Sequence, residues 1–241
     1  MKNSEQWRPN RYLFDEEKDV WRPNFSKIYS GSVHIAYCQS AIYQELIKRH
    51  CRGKLLDCGC GSVPYYGMYK DQVTENVCID WESTHGANPF LDEVHDLNEP
   101  LPFESNQFDS ALCTDVIAHI YKPQPLVEEL GRILKPGGEL VLATPFSYWI
   151  SEPPHEHYRF TEFALRRMCE EAGMEVIHLE PYGGRADIML DVLNKSMALG
   201  ISNRVFLLFR SLLMALGIPQ KNRVKTGRKY PLGYTLVARK R

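Results

Sequence analysis

The sequence predicts an α/β fold built on a parallel sheet, and three observations carry that expectation. Short apolar runs rich in β-formers recur along the chain, and helical apolar patterns separate them. The first such run ends in "DCGCG" at 57–61, a glycine turn where missing side chains let backbone N–H groups approach a ligand. In sheets of this kind ligands bind beyond the carboxyl ends of the strands.

The elements follow in order. Residues 1–32 read as an irregular arm in which "WRPN" stands at 7–10 and again at 21–24, two copies being too few for a repeat architecture. Residues 33–50 place Ile35, Ala36, Ile42, Tyr43, Leu46 and Ile47 at helical spacing, and Arg52-Gly53 breaks the pattern. Runs at 54–58, 76–80, 109–114, 138–146, 174–182 and 233–240 read as buried strands. Between them lie a helix at 124–135, closed by Pro136-Gly137-Gly138, and a helix at 161–173 that opens on a Thr161 cap and closes on Gly173. The final strand follows a long excursion, not a simple crossover.

A chain of 241 residues with 44% hydrophobic content can bury a full core. Its 29 Lys+Arg against 30 Asp+Glu give no global field that points to nucleic acid. The first thirty residues lack the apolar core of a signal peptide, so a reducing cytoplasm is expected. Seven cysteines, an odd number, then suit buried free thiols. Cys58 and Cys60 have no second Cys or His pair at a matching interval, so no metal is expected there.

A dinucleotide site would want a third glycine at position 64, which is proline. The incomplete cradle disfavours NAD or FAD but not a cofactor without phosphates. Asp80 ends the next strand 21 residues after Gly59, where a carboxylate can accept from both hydroxyls of a ribose. Asp96 offers a further acceptor where an adenine amino group could be read.

With these residues in place the sequence resembles the class I S-adenosylmethionine-dependent methyltransferases. The carrying segments are "LLDCGCG", "CIDWE", "HDLNEPLPFESNQFDSALCTDVIAHI", "EELGRILKPGGELVLATPF" and "GYTLVARK". The resemblance implies a Rossmann-like, seven-stranded, mostly parallel sheet with helices on both faces, an antiparallel last strand and a helical insertion before it. It divides the chain into an arm (1–32), a cofactor domain (33–183 with 231–241) and an insertion (184–230) acting as acceptor lid or interface. It implies S-adenosyl-L-methionine as cofactor, with Gly59 and Gly61 flanking its methionine portion, Asp80 on the ribose, and Asp96 with Leu97 at the adenine. Asp57, Cys60 and Trp81 complete the expected set, and Cys113 and Thr114 line the floor. Many family members carry a third glycine where Val63 stands here. A subgroup associated with bacterial glycan and natural-product clusters tolerates this form. That subgroup also resembles "SEPPHEHYRFT" at 151–161, with Ser151 in the place of its usual His and Glu156 in the place of an Asp.

A sulfonium methyl is already activated, so the protein has to align an acceptor and manage its proton. His155, Glu156 and His157 on the loop after the fifth predicted strand, and His119 after the fourth, are the candidate catalytic groups. The expected activity is methyl transfer to a small-molecule or glycan acceptor, most simply at oxygen. The competing expectation is an inactive cofactor-binding subunit of a methyltransferase complex. No nucleic-acid partner is expected. The apolar run at 204–218 and the basic run after it read either as a lid or homodimer contact, or as a peripheral membrane contact through 204–229.

Overall fold

The computed structural model describes residues 1–81, 88–197 and 201–241, including all side chains in these ranges except those of 201–204. Arg204, the first residue of the predicted apolar run, thus has its side chain outside the described residues. In chain order the strands are β1 (Tyr12–Asp15), β2 (Val20–Pro23), β3 (Gly53–Cys58), β4 (Val73–Asp80), β5 (Glu93–Val94), β6 (Phe108–Thr114), β7 (Leu134–Pro145), β8 (Met174–Tyr182) and β9 (Gly233–Lys240). The helices are α1 (Val33–His50), α2 (Tyr66–Tyr69), α3 (Pro123–Ile133), α4 (Glu162–Glu171), α5 (Arg185–Ser196), α6 (Ile201–Ala215) and α7 (Ile218–Thr226). Two compact units emerge: residues 1–9, 45–180 and 234–241 form the first, and residues 10–44 and 181–233 the second.

The first unit is built on a seven-stranded sheet in the order β5-β4-β3-β6-β7-β9-β8. It is mostly parallel, with the antiparallel direction entering at the C-terminal strand, as expected. The central strand β3 buries Leu55, Leu56, Asp57 and Cys58 in succession, as a strand covered on both faces must. Its register aligns Asp57 with Cys78 of β4 and with Leu112 of β6. Parallel pairing therefore delivers Gly59, Asp80 and Thr114 to the same edge. From β3 the chain moves outward through β4 and β5, then returns to the other side of β3 at β6. The reversal opens a switch-point crevice at the carboxyl ends of β3 and β6.

The amphipathic α3 buries Leu126, Val127, Leu130 and Ile133 on one face. Thr161 caps α4 by accepting from the Ala164 N–H at 3.4 Å. Two expectations are corrected. The helix predicted to 135 ends at Ile133, and Pro136-Gly137-Gly138 lie inside β7. A register shift against β6 and a left-handed Gly137 (φ 79°) let the strand carry this stretch as a bulge. The arm is also more regular than its composition suggests. β1 and β2 form an antiparallel hairpin from Tyr12↔Pro23 to Asp15↔Val20, turned through a left-handed Asp19. The asparagines that close the two "WRPN" copies meet at its base, Asn24 Nδ2 donating to the Asn10 carbonyl at 2.8 Å.

In the second unit the helices bury a polar cluster. Arg223 donates to both oxygens of Asp187, at 2.8 and 2.7 Å, and to Cys38 Sγ at 3.1 Å. Arg210 Nε donates to His34 Nδ1 at 3.0 Å, so the imidazole proton sits on Nε2 and points to Asp187 Oδ1, 3.2 Å away. His34, Cys38 and Asp187 are close enough together to suggest a metal. Two guanidinium groups, however, occupy the positions of a cation, so the donor set does not fit one. Burial would raise the Asp187 carboxyl, but its bonds from Arg223 and His34 outweigh that and hold it at about 2. Its folded pKa thus lies below the ~3.9 of an unfolded aspartate, so its stabilisation is in place above about pH 4 and lost as pH falls toward 2. Denaturant unfolding of Asp187→Asn along pH is expected to show a less stable protein with a flatter acid limb; an unchanged limb would place the acid sensitivity elsewhere.

Candidate active site

Every predicted site residue falls in the first unit. The glycine turn begins where β3 ends. Gly59 (φ 70°) cannot carry a side chain, because a Cβ there would stand 2.3 Å from Val116 Cγ2. Its N–H and that of Cys60 donate to the Ile79 carbonyl at 2.8 and 3.3 Å, tying the turn to β4. Gly61 (φ 50°) faces open space, and its N–H donates to Asp80 Oδ2 at 2.7 Å. The Trp81 N–H donates to Asp80 Oδ1 at 2.8 Å. Asp80 is thereby fixed at the tip of β4 while each oxygen keeps a second acceptor position. Burial raises its carboxyl above the ordinary range, these two N–H bonds pull it down, and the negative Glu152 raises it again; the balance is upward.

Val63 stands where the family this sequence resembles often carries glycine, yet it adopts φ 53°, a region a β-branched residue reaches only with support. The support is Trp7. Its indole N–H donates to the Val63 carbonyl at 3.0 Å, and its ring meets Tyr66 edge-on at 5.1 Å. Trp7→Phe keeps the ring but loses the donor, so cofactor affinity should fall about fivefold, the value of one hydrogen bond. Adding Val63→Gly, which is at ease in the left-handed region, should restore most of it. A double variant as weak as Trp7→Phe alone would show that the bond does not act through this turn.

The other predicted cofactor residues divide. Asp57 is 3% exposed and accepts from Tyr69 Oη at 2.7 Å; burial pushes it up to about 7 against that bond. Cys113 is wholly buried in the core, and Thr114 ends its strand half-buried. All seven cysteines are free and buried. Hydrogen bonding to Cys78 and burial push the Cys60 thiol up, and hydrogen bonding to Cys113 and burial do the same for Cys58, so neither offers a thiolate. Asp96 is exposed and accepts from Asn98 N and Nδ2 at 2.9 and 2.8 Å, which holds it well ionised. Leu97 beside it is buried in the core.

The candidate catalytic residues meet on two segments. After β6, a left-handed Asp115 leads into a single 3-10 turn, Ile117–His119. The loop at 146–160 is strapped to that turn: the His157 N–H donates to the Ala118 carbonyl at 2.8 Å, and Tyr158 Oη to the Tyr121 carbonyl at 3.0 Å. Within the loop Glu156 accepts from the Ser151 N–H at 2.6 Å and pairs with Arg159, which also donates to the Trp149 carbonyl at 2.9 Å. These bonds give Glu156 a bracing position. The loop then reaches the tip of β4, where the His155 ring meets Trp81 edge-on at 5.0 Å. His119 Nδ1 lies 3.1 Å from the His155 carbonyl. A carbonyl can only accept, so Nδ1 carries the proton and Nε2 is left bare. One run of contacts thus links Gly61, Asp80, Trp81, His155 and His119.

Sequence reasoning did not anticipate Trp7, Val116, Asn98 or Tyr121 in this network. The Asn98 side chain accepts from the Tyr121 N–H at 3.0 Å and so ties the Asp96 turn to the His119 segment. The left-handed Val63 was the one visible signal, since a valine in a glycine position needs an outside brace.

Residues 56–142 match a family model described as a methyltransferase domain. A probable S-adenosylmethionine-dependent methyltransferase of Mycolicibacterium smegmatis is 28% identical over 147 residues, which is 56% of this chain and 57% of that protein. The ubiquinone biosynthesis O-methyltransferase of Roseobacter denitrificans is 26% identical over 150 residues, 52% of this chain and 60% of that one. The chain therefore matches less than two thirds of the length of either relative. A SAM-dependent methyltransferase structure from Archaeoglobus fulgidus superposes with a TM-score of 0.56 at 16% identity, covering 83% of this chain and 94% of that one, a likeness of fold. The matched domain and the fold imply S-adenosylmethionine as cofactor. The N–H groups of Gly59, Cys60 and Gly61 are used inside the protein, so what fits it is the open space at Gly61 beside a half-buried carboxylate with spare acceptor positions.

Proposed function

We propose that this protein methylates a hydroxyl of a small-molecule or glycan acceptor, with His119 as the general base. The observation that carries the proposal is the fixed tautomer of His119: Nδ1–H is held by the His155 carbonyl, and Nε2 is free to accept a proton beside the crevice. In this reading Gly59 and Gly61 leave room for the methionine portion of the cofactor, Asp80 takes the ribose hydroxyls, and Asp96 with Leu97 borders the adenine. Asp57 and Cys60 shape the turn from inside, and Cys113 and Thr114 form its floor.

The bound cofactor supplies an electrophilic methyl. With that methyl group in place, His119 Nε2 would take the proton of the acceptor hydroxyl. His155 and Trp81 cover the ribose end and exclude water; His157, Glu156 and Arg159 hold the loop in place. Oxygen as the acceptor atom is supported by the need for a base at all, because a carboxylate would need none, and by the O-methyltransferase among the relatives. The glycan or natural-product setting is supported by the Tyr158-Arg159-Phe160-Thr161 ending of the loop. The test is release of S-adenosylhomocysteine over a panel of phenols, sugars and carboxylic acids. Turnover confined to hydroxyl acceptors is expected; turnover confined to carboxylates would remove the base from the account.

A further inference from the structure

We propose that α6 and α7 form a docking surface for an anionic membrane. α6 is inverted relative to a helix of a water-soluble surface. Its inward face carries Phe206, 1% exposed, and the charged Arg210, 5% exposed, whereas Val205, Leu208, Phe209, Leu212 and Leu216 stand 47–74% exposed on the outward face. Arg210 is occupied inside by His34 and by the Tyr37 ring, 4.4 Å from the guanidinium carbon. The apolar residues outside meet no such partner. α7, which carries the basic run, presents Val224, 91% exposed, among the exposed Lys221, Lys225 and Arg228.

The charge along the chain identifies the occupant. No Asp or Glu occurs after Asp191, and residues 192–241 contain 11 Lys+Arg; of the chain's 29 Lys+Arg and 30 Asp+Glu, residues 1–191 therefore keep 18 and 30. Of those 11, Arg210 is held inside by His34, Arg223 pairs with Asp187, Lys195 with Asp191 and Arg239 with Glu139, whereas Lys221, Lys225, Arg228 and Lys229 stand exposed at and just after α7. An exposed apolar helix face followed directly by a helix with exposed cations suits a layer of acyl chains beneath anionic headgroups. A second copy of this chain would bring two like-charged segments together, and a nucleic acid would leave the apolar face wet. Among the described residues no helix is long and apolar enough to cross a membrane. The 15 residues of α6 span about 22 Å, less than the ~30 Å hydrocarbon core, so the helix lies along the surface.

The test is flotation of the full chain with phosphatidylcholine vesicles, with and without phosphatidylglycerol. Binding to the anionic vesicles at low salt is expected, falling about tenfold or more with Leu208→Glu plus Phe209→Glu and again with Lys221→Glu plus Lys225→Glu. Circular dichroism and cofactor binding serve as controls for folding of these exposed-site variants. A wild type that stays with the soluble fraction, or folded variants that float equally well, overturns the proposal. So does tighter binding to a DNA or RNA duplex that ignores the apolar substitutions, or a dimer that Leu208→Glu plus Phe209→Glu dissociates without any vesicle binding.

Discussion

With a hydroxyl acceptor, His119→Ala is expected to lower turnover by roughly 10²–10⁴, the range for removing a positioned general base. Cofactor affinity should stay within about twofold, because no hydrogen bond of Asp80 or the glycine turn involves the His119 side chain. The loss should be much smaller for an acidic phenol that is already ionised at the assay pH than for a sugar hydroxyl, a split that a merely structural role for the ring would not produce. His155→Ala should cost far less, about tenfold or under: its carbonyl, which orients His119, remains, and only the ring over Trp81 is lost. Near-normal hydroxyl turnover in His119→Ala, with a large loss in His155→Ala or His157→Ala, would move the base to the exposed loop.

Asp80→Ala is expected to weaken S-adenosylmethionine by roughly 30–150-fold, corresponding to about 2–3 kcal/mol for hydrogen bonds to a charged acceptor. The carboxylate does two things at once. It offers acceptors to a ribose diol, and it ties the Gly61 and Trp81 N–H groups together at 2.7 and 2.8 Å. Asp80→Asn separates the two, since one amide oxygen can still accept from the backbone while the amide nitrogen cannot accept at all. Its loss should fall between wild type and alanine. Calorimetry on folded proteins checks both, and unchanged affinity in Asp80→Ala would remove this residue from the ribose site.

The carboxyl edge was legible in the sequence because parallel strands write it locally: Asp57-Cys58-Gly59 and Ile79-Asp80 each end a run of buried β-formers, and pairing aligns them. Of the strands at 174–182 and 233–240, the expectation of a buried strand holds only for β9, since β8 lies at the edge of the sheet and is largely half-buried or exposed, but both could be bounded to the residue by their flanking turn residues. β5 could not, because two exposed residues carry no pattern. Nor could the hairpin of the arm, whose four-residue strands are shorter than the window in which alternation can be seen. In the site, the residue types were readable but their roles were not. Glu156 and His119 look alike as candidates in sequence, and only the Arg159 pair of the one and the carbonyl bond of the other distinguish brace from base. The Trp7 bond to Val63 spans 56 residues, so the valine in a glycine position signals that a brace is needed but not which residue supplies it. The polarity of α6 was legible as an apolar run, but which face points outward depends on Arg210 finding His34, a contact 176 residues away in sequence.

The most direct measurement of the central claim is a crystal structure of the full chain with S-adenosylhomocysteine bound. The account predicts the ligand at the carboxyl ends of β3, β4 and β6, with both ribose hydroxyls on the Asp80 carboxylate and the sulfur opening toward His119 Nε2. A ligand seated elsewhere, or a ribose turned away from Asp80 with His119 on the far side of the sulfur, would contradict it.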